Sequence, residues 1–209
     1  MTLETWLLFV GASIVLVLVP GPDMIYLLGR SFAQGRRAGA VAAIGINAGA
    51  YVHLAAAVTG LSAILLTSAV AFAVVKWAGA AYLVVLGIMT LRGRGSGLEV
   101  STEGLVGRSL RAIFWQGFLS DVLNPKVAVF FLALLPQFVS PQAGNAIGQL
   151  VLLGLTVNVI AIVINLLIVA ASARIGRKLR GDPRIAHWLQ KAMGALFIGL
   201  GVRLVTERN

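Results

Sequence analysis

Apolar residues fill positions 3–19, 40–75, 77–91, 127–139, 148–173 and 192–205 almost without interruption. These runs constrain the fold more than any other feature. A soluble helix keeps a polar stripe for water, and none of these runs supplies one. A helix crosses the hydrocarbon core of a bilayer with about 20 mostly apolar residues. The stretch 40–75 is long enough for one crossing, a tight turn and the start of another. Only 11% of the chain is charged, against roughly 25% in soluble domains. The sequence therefore reads as an all-α integral membrane protein, with one transmembrane domain over residues 1–209.

The charges that remain encode topology. We place six crossings near 4–33, 39–62, 68–91, 112–139, 146–173 and 188–206. The odd-numbered connections carry Arg30, Arg36 and Arg37; Arg92, Arg94, Arg108 and Arg111; and Arg174, Arg177, Lys178, Arg180, Arg184 and Lys191, which is 13 of the 17 lysines and arginines. The even connections, "GLSAILLTSA" and "VSPQAGNA", carry none. By the positive-inside rule both termini lie outside, and the basic connections face the cytoplasm and its anionic lipids. Arg203 and Arg208 run against this pattern, but the contrast between loops is large. The net charge of +10 is thus an orientation signal, and no nucleic-acid partner follows from it. The N-terminus has Glu4, no basic n-region and no small-x-small site, so no cleaved signal peptide is expected. With no cysteine in the chain, disulfides and thiolate metal sites are excluded; no metal and no cofactor are expected.

Six crossings invite division into two halves of three, about 1–95 and 108–209, joined by a cytoplasmic connection over 92–111. "KWAGAAYLVVLG" (76–87) aligns with "KAMGALFIGLGV" (191–202) at an offset of 115, matching Lys76 with Lys191 and Gly79 with Gly194. The first and fourth crossings are both long, and both carry a proline break: "PGPD" at 20–23 and "NPK" at 124–126. Three helices per half would set the halves in opposite senses, the inverted-repeat plan of many secondary transporters, with binding at the breaks. As one straight helix, residues 5–33 would measure about 43 Å at 1.5 Å per residue, against a core of about 30 Å. A mid-membrane break at 20–23 resolves the excess. The competing reading ends the first crossing at Val19 and leaves "PGPD" at the cytoplasmic mouth.

The breaks suggest a chemistry. A proline frees a backbone carbonyl at a cost of about 3 kcal/mol, and in lipid the freed group must find a partner or a wet cavity. Asp23 is expected to N-cap a helix from Met24, and Asn124 one with Pro125 at its first position. The two helix N-termini would suit a carboxylate. Asp23 and Asp121 would suit an ammonium or a proton, with Lys126 as the balancing positive charge. A zwitterionic amino acid carries that pair of charges.

The residues that make these breaks carry a family resemblance. "VPGPDMIYLLGRSFAQGRRAGAVAAIGINAGAYVH" (19–53), "WQGFLSDVLNPKVAVFFLALLPQF" (115–138) and "MGALFIGLGVRLV" (193–205) resemble, in order, the signatures of the LysE/RhtB amino-acid exporters. The resemblance implies a bacterial inner-membrane permease that exports amino acids or close derivatives in exchange with the proton gradient. It does not fix the substrate. It places the translocation site at Pro20, Gly21, Pro22, Asn124, Pro125 and Lys126.

Other polar residues in the crossings admit two readings each. Asn47, Asn158 and Asn165 either bond between helices, at around 0.6 kcal/mol on average, or contact substrate. His53 either relays protons and touches substrate or is a hydrogen-bonded structural residue. Asp121 either lines the path or faces the cytoplasmic vestibule. Gly45 and Gly49 form a small-xxx-small packing step, and Tyr26 reads as packing more readily than as path. Lys76 with Trp77, His187 with Trp188, and Lys191 read as interfacial anchors. An aspartyl intramembrane enzyme would need Asp23 and Asp121 as a dyad, but neither H-E-x-x-H nor G-x-S-x-G is present. A metal-cation permease would need several convergent carboxylates, and only Asp23 and Asp121 could lie in the core, the other acids being terminal or in connections. Assembly as a homo-oligomer is compatible with the sequence.

Overall fold

The computed structural model describes residues 3–19, 21–61, 69–92, 107–140 and 144–179, with isolated positions 191, 195, 198, 199 and 202. Pro20, His187, Trp188, the basic segment 180–190, most of the sixth crossing and the side chain of Lys76 lie outside the described residues. Every regular element among the described residues is helical. In order they are α1 (Leu3–Leu18), α2 (Pro22–Ala56), α3 (Ala69–Arg92), α4 (Leu110–Val122), α5 (Pro125–Val129) and α6 (Ala146–Leu179). A wide π turn, Ala57–Leu61, extends α2. A second, Phe130–Leu134, and a short 3₁₀ turn, Leu135–Phe138, extend α5.

α2 is helical in sequence but not one rod. Gly35 sits at φ 83°, ψ 179°, a left-handed value that only glycine adopts without strain, and the chain folds back there. Gly39 consequently packs against the Ser31 side chain, although a straight helix would hold the two about 12 Å apart. Leu28 and Ala43, with Met24 and Ile46, belong to one apolar cluster. α2 is therefore a hairpin with arms 22–34 and 36–56, close to the boundaries read from the sequence.

The second arm lies unusually close to α4. A methyl group on Gly45 would strike the Phe114 carbonyl, and one on Gly117 would come within 2.8 Å of the Ala42 carbonyl. These small residues let two backbones touch, as the Gly45–Gly49 step suggests. Phe9, Phe130, Phe131, Leu135, Leu150 and Leu153 form the main apolar core between α1, the segment after Pro125, and α6. Phe9 meets Phe138 edge-on at 5.2 Å. α3 packs against the π turn, with Gly79 against Ala133.

The outward faces are apolar as well. Leu7, Val70, Leu119, Leu123, Val159 and Leu167 are all more than half exposed, an arrangement that suits lipid and not water. The segments Pro22–Gly60 and Ala146–Ser172 are each long and apolar enough to cross a bilayer, and α4 with the helix after Pro125 forms a pair bent by 49°. The protein is embedded in a membrane.

Candidate functional site

The chain is interrupted twice near its buried centre. α1 stops at Leu18, Gly21 is extended, and α2 begins with Pro22 at its first position. α4 stops at Val122, and α5 begins at Pro125. Each interruption is satisfied by a side chain from the other.

Lys126 serves the first. Its ammonium, 8% exposed, donates to the carbonyls of Leu16 and Val19, both at 3.1 Å. In a continuing helix the Leu16 carbonyl would accept from residue 20, but residue 20 is proline and has no N–H. The lysine thus caps the negative end of α1. Gly21 leaves it room, since a Cβ there would sit 3.3 Å from the ammonium.

Asp23 serves the second. The Ser120 hydroxyl donates to one carboxylate oxygen at 2.9 Å, and the Asn124 amide donates to the other. Asp23 does not N-cap its helix, contrary to the sequence expectation. Pro22 presets the helical φ and starts α2 one residue earlier, with Gly21 as the cap, so the carboxylate is free to reach across. Asn124 does cap α5: its side-chain oxygen accepts from the Lys126 N–H at 3.0 Å. Pro125 has no N–H and that of Lys126 is taken by the cap, so within the first turn of α5 only the Val127 N–H remains for the carboxylate expected there.

Beside this clasp lies a cavity of about 50 Å³, room for a few water molecules. Asp23, Asn47, Asp121, Lys126, Asn158 and Asn165 supply its polar wall, with Leu16, Val127 and Phe131 among the apolar lining. Three side-chain atoms on that wall are buried and have no hydrogen-bond partner among the described residues: Asn47 Oδ1, Asp121 Oδ2 and Asn158 Nδ2. Asp121 is 2% exposed and Asn158 1%, so bulk water does not serve them. Buried polar atoms in native proteins are nearly always bonded, and three orphans on one wall mark a place built for a polar guest.

The structure thus brings together Asp23, Asn47, Asp121, Lys126 and Asn158 of the residues singled out from the sequence. Gly21, Asn124 and Pro125 belong to the clasp and Pro22 starts α2; none of the four lines the cavity. His53 stands behind Asp121: its Nε2–H donates to the Asp121 carbonyl at 2.9 Å, and its ring stacks on Phe131 at 6.2 Å. The same nitrogen is 4.0 Å from Asp121 Oδ2. One residue, Ser120, escaped the sequence reading. Ser120 precedes Asn124 by four, one helical turn, which is the signal that could have flagged it. Asn165 stands seven residues after Asn158, two turns along one face.

A second polar cluster lies between the first arm of α2 and α4. Arg30, counted from the sequence among the loop charges, is 2% exposed. It donates to Gln34 at 3.0 Å and Gln116 at 2.6 Å, and lies 5.4 Å over the Tyr26 ring. The arm 22–34 continues past it, so the guanidinium is drawn into the helix interface. Without it, twelve of the seventeen basic residues remain in the odd connections. Tyr26 is a linker between helices, donating to the Ile113 carbonyl at 2.8 Å.

Among the described residues no three histidine, aspartate or glutamate side chains gather as a metal site would require. Lipid-facing helices thus surround a small buried cavity with a polar wall beside the two helix interruptions. Comparison with known proteins gives the family of the chain, a transporter family and not an enzyme family. Residues 14–208 match the model of the LysE type translocators, and the chain belongs to that family. It is 35% identical over 210 residues to the homoserine/homoserine lactone efflux protein of Salmonella typhimurium strain LT2, covering all of both chains. To the Salmonella typhi protein of the same name it is 32% identical over 209 residues, and to an uncharacterized membrane protein of Vibrio cholerae 32% over 208, again with full coverage. No solved structure matches.

Proposed function

We propose that this chain exports an amino acid or a close derivative across the bacterial inner membrane in exchange for protons, holding the substrate in the cavity between the two breaks. One observation carries the reading: the unpartnered Asn47 Oδ1, Asp121 Oδ2 and Asn158 Nδ2 on one buried wall. Two acceptors fit a substrate ammonium, and the amide donor fits its oxygen. The efflux proteins among its relatives carry amino-acid substrates in their names. Asp121, with one oxygen unbonded and His53 behind it, is the group we assign to the coupling proton.

We also propose six crossings in two inverted halves, both termini periplasmic, and the basic connections on anionic lipid. The reciprocal clasp supports the halves, because the break of each is satisfied from the other. The charge contrast of the loops supports the orientation.

The test uses the full chain in proteoliposomes. Labelled homoserine on one side should exchange with unlabelled homoserine on the other, and an imposed proton gradient should drive net movement. Asp23→Asn, which weakens the acceptor of Ser120 and Asn124, should slow exchange about tenfold. Exchange absent with all amino acids and their derivatives, or unchanged by the substitution, would overturn the assignment. In cells, overexpression should protect against toxic amino acids and not against heavy metals.

A further inference from the structure

The α2 hairpin presents two faces, and they are built differently. Towards α4 it is fastened. Tyr26 donates to the Ile113 carbonyl, Arg30 to Gln116 and Gln34 to the Arg108 carbonyl, and Gly45 and Gly117 bring the two backbones together. Towards α6 it is not. Among the described residues, no hydrogen bond joins the stretch of α6 from Asn158 to Ser172 to either arm. Val169 packs there in an apolar layer with Leu27, Leu28 and Ala43. When one bundle of helices rocks against another, this face parts without breaking a hydrogen bond, and the α4 face does not.

The unfastened face is nonetheless polar at intervals. Asn158, Asn165 and Ser172 stand seven residues apart, on one side of α6, and all three are buried. Asn158 and Asn165 line the cavity, and the Asn158 amide nitrogen has no partner among the described residues. Ser172 lies beyond the cavity, about 10 Å past Asn165 at 1.5 Å per residue. It precedes Arg174 by two, so it marks the basic end of α6, cytoplasmic in the orientation proposed above. The layer of Val169 stands between it and Asn165. In the other direction α6 is closed more deeply: Leu150, Leu153 and Val157 all join the core around Phe9, Phe130 and Phe131. Neutral amides and hydroxyls both donate and accept. A row of them can meet either charged end of a guest and hold neither tightly, which is what a path requires.

We infer that substrate passes between the cytoplasm and the cavity along this row, through a seam between the α2 hairpin and α6. The seam opens as α6 moves away from a hairpin that stays fastened to α4. Asn165 is the inner station of the path and Ser172 the outer one. The inference rests on the cavity being the substrate site, as argued above.

The chain has no cysteine, so single replacements report where water enters. Asn165→Cys and Ser172→Cys are compared with two controls in the full chain, reconstituted in proteoliposomes with a small charged methanethiosulfonate on both sides. Ala38→Cys sits on the fastened face, buried with Ile113, and Leu167→Cys faces lipid, its native residue 62% exposed. A thiol reacts as its thiolate, which forms where water reaches it. Ser172→Cys should therefore react about tenfold or more faster than either control. Asn165→Cys should also outpace them, and saturating homoserine should slow it about threefold or more. Once modified, Ser172→Cys should exchange homoserine about fivefold or more slowly than before, while modified Leu167→Cys keeps its rate. Reaction of Asn165→Cys and Ser172→Cys no faster than Leu167→Cys, in protein active in exchange, overturns the path and leaves the site standing. Faster reaction at Ala38→Cys than at Ser172→Cys also overturns it and moves the opening to the α4 side. Fast labelling without exchange of any amino acid or derivative removes the proposed function, and the path with it. Cysteine nearly keeps the shape of serine, so Ser172→Cys decides even where Asn165→Cys does not fold.

Discussion

Lys126→Met keeps the length and apolar stem of the side chain and removes its ammonium. Two carbonyls then lose their donors, Leu16 and Val19. Hydrogen bonds between membrane helices average only about 0.6 kcal/mol, because a separated helix finds other partners. That average does not apply here. The Leu16 carbonyl has no helical alternative, since residue 20 is proline, and the site is closed to bulk water. The cost is therefore that of a buried unsatisfied group, about 1–3 kcal/mol for each carbonyl. Relief of the ammonium's own burial returns part of it, and Asp23 and Asp121 lose their balancing charge. We expect a net loss of about 2–4 kcal/mol, measured by reversible unfolding of the full chain in mixed detergent micelles, with transport impaired in proportion to the folded fraction. A Lys126→Met protein as stable as its parent but unable to transport would refute the reasoning, because it would assign the ammonium to substrate and not to the backbone.

Three further outcomes follow from the geometry. Gly49→Ala puts a methyl 2.7 Å from the Phe118 carbonyl and 2.8 Å from Asp121 Cβ; it should destabilise by about 1–3 kcal/mol and slow exchange, while Gly60→Ala, with open space around it, should change neither. Gln116→Leu removes the acceptor shared by Arg30 and Tyr26 and should lower unfolding stability by about 1–3 kcal/mol; an unchanged value would show the cluster to be passive. Because the chain has no cysteine, single replacements label cleanly: Arg36→Cys should react with a membrane-impermeant maleimide only after cells are opened, and Asn145→Cys in intact spheroplasts.

The sequence was most legible where local rules are strong. The apolar helices, and helix starts at Pro22 and Pro125, follow from helix chemistry. The Asn124 cap follows from its place before Pro125. Side-chain reach was less legible. Asp23 has the composition of a cap, but its partners Ser120 and Asn124 lie 97 and 101 residues away, and only the packed structure decides between a local and a distant bond. Lys126 looked like a counter-ion for substrate for the same reason. Arg30 looked like a loop charge because sequence counts charge and not depth. Asn158 and Asn165 admit packing and substrate contact equally from sequence; their common face becomes meaningful only once the cavity is seen opposite.

The clasp also orders the making of the protein. The carbonyls of Leu16 and Val19 wait for a donor that lies 110 and 107 residues further along the chain. Four helical segments, α1 to α4, are made before Lys126 is added, so α1 is made with these carbonyls open. Its last turn is closed only when the segment after Val122 arrives. A chain that stops before Lys126 thus lacks the donor that closes the last turn of its first helix.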